Sequence, residues 1–260
     1  MESIIVLWAN VRAESVKLRS VRSTLWALAI TIAITVGLSA LFTSTRVSRW
    51  DHMGPGQQLL FEPIGFSLNG IFLSQLAIGV LGVLVMTSEF ATGQIRATFA
   101  ATPSRGTVLL AKMSVFAVAG LIVGEIASFS AFFVGQAILS SKHSASISDP
   151  GALRAVLGGG LYLAGIGIFG LGLGVILRRT AGAIAVLVAS VMILPQLVEL
   201  LPSPWNDDIS KYLPSPAGQT LFHIVSNRPS LSTGVGLIVF LAYPIGACLL
   251  GWVLLRTRDA

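Results

Sequence analysis

Residues 155–201 read AVLGGGLYLAGIGIFGLGLGVIL, then RRT, then AGAIAVLVASVMILPQLVELL, and this stretch decides the fold. Crossing a hydrocarbon core of about 30 Å takes about 20 helical residues. Ala155 to Leu177 is long enough and carries no charge. Ala181 to Leu201 is long enough too, with Glu199 near its end. Between them stand Arg178, Arg179 and Thr180. One continuous helix would hold two adjacent arginines in lipid, so the pair marks a tight turn at a membrane surface. Re-entry of part of 181–201 is the other arrangement left open, and Pro195 makes the last turn irregular in either case.

The rest of the chain repeats the pattern. Apolar spans fall at about 25–43, 66–86, 111–139, 155–177, 181–201 and 235–255. Across 260 residues, 54% are hydrophobic and 11% charged, against about 25% charged in soluble domains. Mean hydropathy is +0.83. So few charges cannot cover a water-soluble body of this size. The expectation is an all-α polytopic membrane protein: a single transmembrane domain over 1–260 with six transmembrane helices. Residues 1–22 do not read as a secretory signal, since Glu2 and Glu14 stand among the bases and no clean cleavage site follows the first apolar run.

Charge orients the bundle. An even number of spans puts both termini on one side. With that side cytoplasmic, eleven of the 17 basic residues face inward, among them Arg12, Lys17, Arg96, Arg105, Lys112, Arg178, Arg179 and Arg258. Arg46, Arg49, Lys142, Arg154, Lys211 and Arg228 face outward. The positive-inside rule favours this orientation. Basic cytoplasmic ends meet anionic lipid headgroups, and no basic patch interleaved with aromatics points to nucleic acid.

Three connecting segments stand out. Residues 4–22 read as an amphipathic interface helix, with Ile4, Leu7, Trp8, Val11, Ser15 and Leu18 on one face and Glu14 and Lys17 largely on another. Residues 87–110 read as a compact helical elbow: Thr87 or Ser88 caps a short helix, Glu89 favours its start, and Pro103 redirects the chain. The segment 202–234 holds Pro202, Pro204, Pro214, Pro216 and Pro229, so it is read as short helices, for example around 217–225.

Polar residues inside spans are few. Glu125 stands near the middle of the third span if Lys112 marks the inner surface. It reads either as a contact on a substrate path or as a protonated, hydrogen-bonded packing residue. Pairs such as Gly120/Gly124 and Gly170/Gly174 permit close helix approach. No glycine-rich stretch leads into Gly-Lys-Ser or Gly-Lys-Thr, so the chain lacks the means to hydrolyse ATP. His52, His143 and His223 lack metal-ligand spacing, no serine sits in Gly-x-Ser-x-Gly, and Cys248 has no partner for a disulfide. No enzymatic activity, cofactor or metal is expected in this chain.

The elbow carries a family likeness. Glu89, Gly93, Ile95 and Arg96, followed by Pro103-Ser104-Arg105, resemble the Glu-x-x-x-Gly-x-Ile/Leu-Arg…Pro-x-Arg pattern of bacterial ABC-2-type ABC transporter permeases. Glu14 to Ser20 is similar to the family's helix before the first span. The resemblance covers essentially the whole chain and implies an exporter-like six-span subunit in a bacterial plasma membrane. It implies a separate cytoplasmic ABC ATPase that binds ATP and Mg2+, and a second permease copy or a paralogue. It assigns Glu89, Phe90, Gly93, Ile95, Arg96 and Arg105 to a coupling helix for the ATPase. The implied function is ATP-driven export of a small or amphipathic compound. A secondary transporter and a non-transporting membrane binding or immunity protein are the alternatives.

Overall fold

The computed structural model describes residues 2–102, 104–224 and 230–257. Pro103, Val225, Arg228, Pro229, Arg258 and Asp259 lie outside these residues, as do the side chains of Glu2 and Ile4. Every regular element described is helical. The chain begins with α1 (Glu2–Ser20) and α2 (Arg22–Ser48), and a 3-10 turn at Trp50–His52 follows. Next come α3 (Pro55–Leu59), α4 (Pro63–Ser67), α5 (Ile71–Ala91), α6 (Gln94–Ala101), α7 (Arg105–Leu139) and α8 (Ala152–Leu177). α9 (Thr180–Val188) continues through a π-helical turn at Ala189–Ile193 into α10 (Leu194–Glu199). α11 (Trp205–Ser210), α12 (Pro214–Gln219) and α13 (Thr233–Thr257) complete the chain. Six helices are long and apolar enough to cross a membrane: α2, α5, α7, α8, the α9–α10 rod and α13. Helices suit such segments because each satisfies its own backbone where no water can.

α8 is the hub, packed against α5, α7, α9 and α13. Glycine makes this possible. A Cβ on Gly82 would lie 2.0 Å from the Gly167 carbonyl oxygen, and one on Gly170 would lie 2.1 Å from that of Gly79. The α5 and α8 backbones therefore touch directly, which only small residues allow.

α2 is built inside out. Thr31, Thr35, Ser39 and Thr43 are fully buried, while Leu25, Trp26, Ile30 and Leu41 face outward. The Thr35 and Thr43 hydroxyls donate to the Thr31 and Ser39 carbonyls four residues back, both at 2.7 Å, so neither reaches lipid unsatisfied. Ser39 Oγ also accepts the Gly70 amide at 3.1 Å, fastening α2 to the start of α5.

Several boundaries differ from the sequence expectation. α7 starts at Arg105 rather than near 111, and its 35 residues make a rod of about 52 Å, longer than the hydrocarbon core. Lys112 therefore lies two turns inside α7 and is buried. Between α2 and α5, Glu62 caps α4, accepting the Ile64 and Gly65 amides at 2.9 and 2.7 Å. The short helices described in the long segment are Trp205–Ser210 and Pro214–Gln219, and the second ends well before 225.

The α5–α8 contact makes a direct prediction. Gly82→Ala should destabilise the bundle by about 1–3 kcal/mol, the usual cost of overpacking. Gly37→Ala, on an exposed face of α2 with nothing within 4 Å, should be neutral or slightly stabilising. Thermal unfolding of both variants in the same detergent checks this.

Candidate functional site

The elbow is assembled at the end of α5. Thr92 closes that helix, and Gly93 turns the chain with φ +71°, a left-handed conformation that strains any residue with a Cβ. No side chain caps α6. Thr87, Ser88 and Glu89 belong to the last turns of α5, so the elbow helix starts at Gln94 and not at Glu89. Ile95, 3% exposed, anchors α6 in the core, while Gln94, Arg96 and Ala97 face outward. Thr102 Oγ1 donates to Asn10 Oδ1 at 3.2 Å, joining the far end of the elbow to α1.

Beside the elbow four charges from three helices meet. Lys112 Nζ of α7 lies 2.6 Å from Glu14 Oε2 of α1 and 2.8 Å from Glu89 Oε1 of α5. Lys17 Nζ donates to Glu14 Oε1 at 2.8 Å and to Glu89 Oε1 at 3.0 Å. Glu14, Glu89 and Lys112 are all under 7% exposed. The cluster is formally neutral, as a buried ion group must be to offset its desolvation. A carboxylate in the last turn of α5 opposes the helix dipole, and the two ammoniums compensate Glu89 for that. Glu89 Oε2 is buried with no hydrogen-bond partner among the described residues. A crevice of about 410 Å³ reaches the cluster, with Ser88 and Gln94 in its wall.

Burial raises the carboxyl pKa of Glu14, but Lys112 and Lys17 overcome it and hold the group below its ordinary value of 4.5. Burial likewise lowers that of Lys17, and the bonds to Glu14 and Glu89 outweigh it, leaving the ammonium above 10.5.

The six residues expected at the elbow therefore divide. Gly93 and Arg96 are exposed at its tip, and Phe90 is half-buried with the Arg178 guanidinium 5.2 Å from its ring. Glu89 and Ile95 point inward and fasten the elbow; they offer no side chain to a partner. Arg105 turns to the end of α13, where Nη1 donates to the Leu255 carbonyl at 2.7 Å. Glu14 and Lys112 complete the site although their sequence contexts suggested surface charges. The signal was present: Glu14 interrupts the Leu7-Val11-Leu18 stripe at helical spacing, and Lys112 follows an apolar run.

Glu125 faces α8, where a Cβ on Gly160 would lie 2.4 Å from its carboxyl carbon. It borders none of the cavities described here. At the end away from the elbow a cleft of about 1040 Å³ lies between the α9–α10 rod and α12, with Gln196, Lys211, Gln219 and His223 in its wall. A directed hydrogen-bond chain runs inward from it. Gln219 Nε2 donates to Ser215 Oγ at 3.0 Å, and that hydroxyl lies 3.1 Å from Tyr162 Oη. Tyr162 gives its one proton to Gln75 Oε1, so Ser215 must be the donor in the link between them. Gln75 Nε2 then donates to the Phe72 carbonyl at 2.6 Å.

Neither protein-family models nor curated protein sequences match this chain.

Two measurements test the cluster. Lys112→Met leaves two carboxylates short of a partner and should cost about 3–5 kcal/mol in thermal unfolding, while the triple variant Lys112→Met/Glu14→Gln/Glu89→Gln should recover most of it. The pKa directions set a pH window. A depressed Glu14 contributes stability above the unfolded-state value, lost as pH falls through the folded one. A raised Lys17 contributes below its unfolded value, lost as pH rises through the folded one. Spin labels at Val16 and Ser114, both exposed, should hold one α1–α7 distance from about pH 4.5 to about pH 10.5 and separate only beyond those limits, as pH passes the shifted folded-state values.

Proposed function

We propose that this chain is the membrane-spanning permease subunit of an ATP-driven exporter of the ABC-2 type, with α6 as the coupling helix for a separate cytoplasmic ATPase. The observation that carries the reading is the mounting of α6. Its outward face is free for a partner, and two residues, Thr92 and Gly93, join it to α5. The cluster at its base reaches α1 and α7. A push on α6 is thereby passed to three helices at once, as a coupling element requires.

Topology supports the same reading. The elbow, the end of α1, the start of α7, the Arg178–Arg179 turn and the end of α13 all stand at one end of the bundle. That end is the more basic in sequence, which favours a cytoplasmic placement in a bacterial plasma membrane. ATP and Mg2+ bind in the partner, and this chain supplies the substrate path and the mechanical link. A second copy or a paralogue completes the transporter. The partner can bias outward against inward exposure only by gripping the two states differently.

Arg96→Glu tests the assignment. Arg96 is exposed, so insertion and thermal stability should be unchanged, while ATPase association and substrate-stimulated hydrolysis should fall at least about tenfold, the effect of losing a strong contact residue. Unchanged association and transport would count against the role. Labelling of Arg96→Cys from outside intact cells would overturn the topology.

A further inference from the structure

The elbow-end halves of α7 and α13 enclose a groove of about 740 Å³, within the range of sites that hold small ligands. Leu109 and Met113 line one wall, Cys248 and Leu249 the other, and Arg105 and Arg256 stand at the mouth. Both helices are candidate spans by length and composition, so in a membrane the apolar walls would face hydrocarbon and the arginines, at the helix ends, the headgroups.

The two guanidiniums are pre-positioned. Arg105 is held by its bond to the Leu255 carbonyl and lies 5.5 Å from the Phe99 ring centre. Arg256 stacks on the Trp252 indole at 3.8 Å. That indole is itself seated on Gly106, where a Cβ would lie 2.5 Å from Trp252 Nε1. A tryptophan beside two fixed arginines is suited to an anionic headgroup: the ring sits at the interface, and guanidinium planes match phosphate oxygens. No acid is among the described residues lining the groove.

We propose that the α7–α13 groove binds an anionic phospholipid, with its phosphate between Arg105 and Arg256 and one acyl chain along Leu109, Met113, Cys248 and Leu249. Charge complementarity selects this occupant. A second copy docked by the same face about a two-fold axis along the membrane normal would bring like arginines together at one depth. A water-soluble partner cannot follow the groove into hydrocarbon. The site is independent of the proposed permease function and stands or falls separately.

Trp252 is the reporter. Replacing Trp8, Trp26, Trp50 and Trp205 by phenylalanine leaves it as the single tryptophan of the five. In nanodiscs, brominated phosphatidylglycerol should quench it with about twenty-fold higher apparent affinity than brominated phosphatidylcholine, the preference that two basic contacts supply. Arg105→Gln/Arg256→Gln should abolish that preference, and Arg105→Lys/Arg256→Lys should keep part of it. The control is a protein with Trp26 alone, at the elbow end of α2, which reports general enrichment of anionic lipid. Equal quenching of Trp252 by the two lipids overturns the proposal. So does a preference at Trp26 as large as that at Trp252. Both comparisons use proteins with the arginines intact, so they decide the matter even if the glutamine variant does not fold.

Discussion

Direct backbone contact between α5 and α8 is the constraint on which the bundle depends. Lipid is as apolar as the helix faces it surrounds, so burial supplies little drive for one span to leave it and join another. Association must come from close packing. Gly82 against the Gly167 carbonyl and Gly170 against the Gly79 carbonyl provide it, by bringing the two backbones together. Because α8 also carries α7 and α13, the spacing set at this contact passes to the neighbouring helices. The glycine content that raises the backbone's conformational entropy cost is what permits a dense core here.

Charge does the opposite kind of work. Bringing Glu14, Glu89, Lys17 and Lys112 together in a poorly solvated place is expensive, and a well-packed apolar cluster would serve stability as well or better. What the ions add is registry. Glu14 can meet Lys112 at one rotation of α1 only, and Glu89 fixes the depth of the last turn of α5 against both. The elbow then inherits a defined position from a helix that precedes the first span, although α6 itself buries little beyond Ile95.

The sequence made the helical, six-span architecture legible because apolar length is a one-dimensional property. It was weaker wherever a third dimension decides. The start of α7 was hidden because Arg105 to Leu110 is too polar at its edge to read as hydrocarbon, yet it is helical and packed. The start of α6 was misplaced because Ser88 and Glu89 form a good N-terminal signal locally, while the left-handed turn at Gly93 decides where the chain bends. Glu14 was assigned outward because an acid on an interface helix normally faces water. Its inward turn follows from Lys112, 98 residues away, so the stripe that Glu14 interrupts marks the acid but not its partner.

The two ends of the bundle are fastened by different chemistry, and the difference bears on where motion can enter. Between the cleft beside α12 and Gln75 the links are neutral and directional. Each hydroxyl or amide has one assigned acceptor, and Gln75 Oε1, which can only accept, fixes the sense of the whole chain. Shifting α12 against α8 would leave buried donors unpaired. At the elbow the links are ammonium to carboxylate. A lysine head carries three equivalent donors on a flexible stem and tolerates changes of angle that a hydroxyl chain does not. The elbow end is therefore fastened by bonds that tolerate small changes of angle, and the far end by bonds that do not. The first kind of fastening suits the end at which the proposed coupling through α6 would act.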